Sequence, residues 1–148
     1  EVVELQPVLL PPMFFMKNAE ETVIWNKQME TLRIKAPGAK TLASSLSGGN
    51  QQKAIIGREV TKDPDVLIAV QPTRGLDVGA IEFIHKALVT QRDKGKAVLL
   101  VSFELDEIFN LSDRIAVIFK GKNQKVLLKN EATTEKLGIL MAGVKDED

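Results

Sequence analysis

Apolar and polar positions along the chain fall into blocks whose period switches between helical and strand-like. Trp25, Met29 and Leu32 recur at helical spacing. Residues 19–35 therefore read as an amphipathic helix capped by Asn18, with Glu20 and Glu21 in its first turn and Pro37 and Gly38 beyond its end. Trp25 is assigned to the core. From Gln51 to Thr61 the apolar side is Ala54, Ile55, Ile56 and Val60, with Lys53, Arg58 and Glu59 in water. After the turn Asp63-Pro64-Asp65, the unbroken apolar run Val66–Val70 reads as a fully buried parallel strand, and Pro72 stops its pairing. Asp77 caps a long helix over residues 78–94, with Ile81, Ile84 and Leu88 inward and Gly95 as its stop.

Ala97–Val101 is a second buried strand, residues 104–110 a short helix and Arg114–Phe119 a third strand. Gly121 with Lys122, Asn123 and Gln124 makes a turn into a weaker strand over residues 125–128. Thr133 caps a final helix through Met141, and Lys145-Asp146-Glu147-Asp148 is a polar tail. Residues 1–18 hold short apolar runs and Pro7, Pro11 and Pro12, which forbid a long helix. Strands alternating with helices predict an α/β layer fold with a mainly parallel sheet.

The chain has 148 residues, 44% of them apolar, enough for a compact domain with a real core. Lysine plus arginine and aspartate plus glutamate balance at 20 each, so no global field favours nucleic acid or an anionic membrane. The absence of cysteine excludes disulfides and thiolate chemistry and suits a reducing compartment. No signal-peptide pattern is visible, and no apolar run approaches the roughly 18 residues of a spanning helix. A soluble protein is expected, with any membrane role exercised through a partner.

The chemistry concentrates in Leu46-Ser47-Gly48-Gly49-Asn50-Gln51-Gln52-Lys53. Ser47 is a preferred N-cap, and two glycines let the backbone turn sharply and approach a bound group. The first amides of a helix lack internal partners and lie at the positive end of its dipole, so a helix entered through Ser-Gly-Gly suits an anion, phosphate above all.

This octet resembles the signature motif of ABC-type ATPases, in the form found in sugar and nucleoside importers. Asp63-Pro64-Asp65-Val66-Leu67-Ile68 is similar to the run into the family's Walker B strand. The stretch from Gln71 to Ala80 is similar to the segment after that strand, Leu111-Ser112-Asp113-Arg114-Ile115 to the start of a later strand, and residues 138–143 to the ending of those importers. The resemblance covers about residues 41–143. It implies the C-terminal part of a P-loop NTPase (ABC ATPase) core, over residues 63–148, and a portion of the helical signature subdomain, over residues 1–62.

The resemblance also implies how the sites divide. No G-x-x-x-x-G-K-S/T loop occurs in the chain. Val70 stands where the family has its Mg²⁺-supporting aspartate, and an alkyl group offers no ligand to a hard cation. Gln71 replaces the glutamate that activates water, a loss of typically about 10²–10⁴ in rate. Phe103 replaces the switch histidine, and the sole histidine, His85, is read as a surface or helix-packing residue. Ser47, Gly48, Gly49, Asn50 and Gln51 are expected to bind ATP in trans, across a head-to-tail pair of cassettes. Asp77, at the D-loop position, is expected to cap its helix and reach that interface.

The expected whole is therefore the ATP-binding component of an importer for a sugar or nucleoside. ATP with Mg²⁺ would be bound by the full assembly, and neither tightly by this chain alone, which is expected to be inactive as an isolated ATPase. Partners would be a second cassette, in the same polypeptide or as a homodimer mate, and a transmembrane permease, with no nucleic acid. The location would be cytoplasmic, at the inner face of the membrane. The alternative is a non-catalytic ABC-like regulatory or assembly module with no transport role. In the family a phosphate-loop strand lies between the strands resembling Ala97–Val101 and Arg114–Phe119. Without it those two are expected to close together, to accept residues 2–10, or to pair with a second copy, and association of copies is the favoured outcome because Pro7 makes residues 2–10 a poor central strand.

Overall fold

The computed structural model describes residues 29–38 and 41–144. The readings placed on Asn18, Trp25, residues 2–10 and the tail from Lys145 lie outside the described residues. The chain forms two compact units, Glu1–Gly57 and Arg58–Asp148.

In the first unit, residues 29–31 are helical, and the helix ends there, ahead of the expected end at Lys35. The cause is a left-handed Arg33, with φ of 50°. Its N–H donates to Glu30 O at 3.0 Å and that of Ile34 to Met29 O at 2.8 Å, the paired bonds that close a helix through a left-handed residue. A short 3-10 turn, Ala43–Ser45, precedes helix α1 (Gly48–Thr61). α1 starts before the expected Gln51, because both glycines join its first turn. Gly57 is buried against Leu32, whose Cδ1 occupies the space a Cβ at Gly57 would need. Ile56 is buried as expected, but Ile55 is exposed, since neighbouring residues on a helix point about 100° apart.

The second unit opens with a parallel strand–helix–strand. β1 (Val66–Val70) pairs in parallel with β2 (Ala97–Val101), Val66 opposite Ala97 through to Val70 opposite Val101. Helix α2 (Val78–Asp93) connects them, buries Ala80, Ile84 and Leu88, and packs on β2. Gly95, at φ of 82°, turns the chain out of α2. The two strands are not fully buried as their composition suggested. Leu67 and Ala69 are buried, whereas Val66, Ile68, Val70, Leu99 and Val101 are exposed on the opposite face. An unbroken apolar run specifies cover on both faces, and the described residues supply it on one.

β3 (Arg114–Phe119) and β4 (Lys122–Leu128) form an antiparallel hairpin. Its turn is Lys120-Gly121, both left-handed at φ of 46° and 75°, the requirement of a two-residue hairpin turn whose twist matches the strands. The strand therefore begins at Lys122 rather than after Gln124. Gln124 instead forms a bulge, between the pairs Val117–Lys125 and Ile118–Asn123. Helix α3 (Leu105–Leu111) leads into β3, and helix α4 (Thr134–Met141) follows β4, capped by Thr133 Oγ1 accepting from Lys136 N–H at 3.2 Å. Ile115, Val117 and Leu127 of the hairpin bury against Leu137 and Leu140 of α4.

β2 and β3 do not pair with each other. A cavity of about 760 Å³ lies between them, lined by Val98 and Leu100 on one side and Ile115 and Val117 on the other, with Leu137 and Met141 from α4. Of the three expected outcomes, closure of these strands on each other does not occur. The penalty that argued for it applies to unpaired groups shut away from water, and a cavity of this size beside the two edges has room for water to satisfy them. The hairpin finds its core on α4 instead.

Candidate functional site

The turn at the head of α1 is set by side chains within it. Gln51 Nε2 donates to Leu46 O at 2.8 Å, holding the chain before the turn. Asn50 exchanges two bonds with one residue: its Oδ1 accepts from Lys35 N–H and its Nδ2 donates to Lys35 O, each at 3.2 Å. Lys53 Nζ reaches Arg33 O at 3.4 Å. Ser47 caps the helix loosely, its Oγ accepting from Asn50 N–H at 3.4 Å. Ser47 and Gly48 are exposed and Gly49 is buried. The amides of Gly48 and Gly49 have no acceptor among the described residues. The exposed Ser47 and Gly48 leave a hydroxyl and an N–H group for an anion, with the Gly49 N–H buried beside them, while the side chains of Asn50 and Gln51 are engaged internally.

The turn after β1 differs in kind. Gln71 adopts φ of 49°, a region sparsely used by residues with a Cβ, and its N–H donates to Val101 O at 2.8 Å. Its Nε2 is buried without a partner among the described residues. Pro72 is buried, and Asp77 is exposed, accepting from Ala80 N–H at 2.9 Å as the N-cap of α2. Phe103 is 76% exposed just beyond β2, with Glu104 N–H donating to Ser102 Oγ at 3.0 Å. Val70, also exposed, brings no oxygen to this end of β1. A hard cation has no side-chain ligand from Val70, Gln71 supplies no carboxylate and Phe103 no hydrogen bond. This strand end brings no carboxylate to a hard cation, and the turn at Ser47 has the donors that an anion would need.

The chain is 66% identical over 110 residues to the Guanosine import ATP-binding protein NupO of Bacillus subtilis, covering 74% of the chain and 22% of the relative. It is 53% identical over 146 residues to the Nucleoside import ATP-binding protein NupA of Lactococcus lactis, covering 97% of the chain and 29% of the relative. The chain belongs to the ABC transporter ATP-binding family. It corresponds to a C-terminal segment and spans 22% and 29% of the length of these two relatives. No family model matches it. Among solved structures, a nucleotide-free ATP-binding cassette from an ABC transporter aligns with a TM-score of 0.63 at 26% identity, covering 78% of the chain and 46% of the cassette. A dimeric bacterial ABC transporter cassette aligns with a TM-score of 0.65 at 24% identity, covering 78% and 50%. The fold is that of part of a P-loop ABC cassette.

One constellation in this cassette segment was missed in the sequence. Glu107, on α3, is 4% exposed, and its Oε1 accepts from Thr73 Oγ1 at 2.8 Å. His85 Nε2 of α2 lies 3.0 Å from the same oxygen, so the histidine read as a packing residue has a buried carboxylate partner. A signal existed: Glu107 falls beside Ile108 and one turn before Leu111, on the side of a short helix that turns inward, where an acid needs a partner.

Proposed function

We propose that this chain is part of the ATP-binding component of an ABC importer. In this reading residues 1–62 belong to the helical signature subdomain and residues 63–148 to the later half of the ATPase core. The exposed Ser47 hydroxyl and the amides of Gly48 and Gly49 complete an ATP site on a partner cassette, donating hydrogen bonds to phosphate oxygens. Hydrogen bonds to charged groups contribute about 1.5–3 kcal/mol each, enough to make this turn decisive without a nearby carboxylate. The bound nucleotide supplies the phosphoanhydride whose hydrolysis drives transport. Val70, Gln71 and Phe103 make the chain's own site degenerate, with Asp77 presented toward the partner.

The observation that carries this reading is the contrast between the two turns. The one at Ser47 is built and open to an anion, while the one at Gln71 lacks the groups that hydrolysis needs. A nucleoside is the favoured cargo of the two expected classes, since NupO and NupA carry guanosine and nucleoside in their names. The permease, the second cassette and a position at the cytoplasmic face of the membrane follow from the same reading.

Steady-state ATP hydrolysis by the complete polypeptide tests the division. Gly49→Asp puts a carboxylate beside phosphate and should abolish turnover, while Gln71→Ala should change it little. Greater damage from Gln71→Ala would overturn the assignment of strong and weak sites.

A further inference from the structure

Glu107 stands at the third position of α3, where a glutamate ordinarily folds back to the N-cap amide. That amide, of Glu104, is taken by Ser102 Oγ. The carboxylate is thereby free to reach out of its helix, and it does so into the interior, to Thr73 Oγ1 and His85 Nε2. A carboxylate oxygen only accepts, so both neighbours act as donors to Oε1. Oε2 is buried with no partner among the described residues. An alkyl side chain would be the less costly occupant of such a position, so the link to Thr73 is what the carboxylate contributes.

The turn of residues 71–74 and the segment of residues 101–107 are thus joined at two points. Gln71 N–H donates to Val101 O, and Thr73 Oγ1 donates to Glu107 Oε1, both at 2.8 Å. Phe103 sits on the short loop between these ties. We propose that Glu107 is a positioning residue which, through Thr73, holds positions 71 and 103 in one fixed mutual arrangement and sets the path of the chain toward Asp77, with His85 fixing the carboxylate. The proposal rests on the cassette reading for what positions 71, 77 and 103 do.

The test uses the complete polypeptide and two readouts. Glu107→Gln keeps an acceptor oxygen for Thr73, Glu107→Leu removes it at similar volume, and Thr73→Val removes the donor. Amide hydrogen exchange in peptides spanning residues 71–76 and 102–106 should accelerate together by about tenfold in Glu107→Leu and in Thr73→Val, and by less than about twofold in Glu107→Gln. In the same variants kcat for ATP hydrolysis should fall about tenfold with KM unchanged, because the path of the chain to Asp77 is displaced and not because positions 71 and 103 themselves react, and the Leu–Val double variant should fall no further than the worse single one. Glutamine behaving like leucine, or additive losses in the double variant, would overturn the link. Faster exchange with an unchanged kcat would reduce it to a purely structural tie and overturn the positioning role. If the unmodified protein hydrolyses no ATP and Gly49→Asp changes nothing, the cassette reading fails instead, and the exchange pattern still decides the link itself. Leu88→Ala is the control for general loosening: it should not accelerate the two peptides selectively.

Discussion

Gly143 is packed against the ring of Phe119. The residue is left-handed, at φ of 77°, and the space a Cβ would take is filled by the Cε1 and Cδ1 atoms of that ring. The same glycine closes α4, its N–H donating to Leu140 O at 3.0 Å while that of Val144 reaches Ile139 O at 3.2 Å. Gly143→Ala should therefore combine backbone strain with overpacking and destabilise the second unit by about 2–4 kcal/mol, read from urea unfolding. An unchanged midpoint would mean that the ring moves aside freely.

Asp77 allows its two expected roles to be separated. Asp77→Ala removes the acceptor for Ala80 N–H and should lower stability by about 0.5–2 kcal/mol. Asp77→Asn keeps a capping oxygen and should leave the unfolding midpoint nearly unchanged. In the complete polypeptide, loss of ATP turnover in Asp77→Asn at full stability would identify a role for the charge beyond the helix. Full turnover in that variant would leave capping as its whole contribution.

Glu59 gives a pH dependence with a definite sign. A hydrogen bond from Lys62 lowers its pKa below the ordinary glutamate value, burial opposes this, and Arg58 adds to the lowering. A depressed carboxylate stabilises the fold above its unfolded pKa, and the contribution is lost as pH falls through the folded value. With a third of the side chain exposed, screening limits the effect to about 1 kcal/mol or less. Glu59→Gln should thus destabilise slightly at neutral pH and become neutral in acid below the ordinary glutamate range. A difference that persists unchanged into that range would show the ion pairs to be irrelevant.

The isolated chain should not bind Mg-ATP in a saturable way at micromolar concentration, because in the proposed reading the described residues offer phosphate the Ser47 turn and no phosphate loop. Titration calorimetry on the 148-residue chain is the measurement. A micromolar isotherm would require a phosphate site absent from the reading above.

The elements most legible in the sequence were those whose signals are local. Asp77 before an apolar stripe, Thr133 before Leu137 and Leu140, and the run Val66–Val70 each carry their own start and period. What the sequence did not disclose depends on neighbours far along the chain. The one-sided burial of β1 is decided by which layers are present. The parted edges of β2 and β3 follow from the hairpin burying Ile115, Val117 and Leu127 on α4. The hairpin turn was placed late because Lys120 does not announce a left-handed conformation, whereas the polar run after Gly121 mimics a loop. Likewise Ser47, Gln71 and Phe103 were visible as letters of a motif, but the tie between Thr73 and Glu107 spans 34 positions and has no local signature.

The clasp between Asn50 and Lys35 makes a lever of the first unit's end. Two bonds of opposite sense between one side chain and one peptide resist both sliding and twisting, and Lys53 adds a third tie at Arg33. A tilt of the Ser47 turn therefore either breaks these bonds or carries residues 33–35 along with it. A displacement of that stretch is passed to the amides of Gly48 and Gly49 through these ties, and a load on those amides travels back the same way.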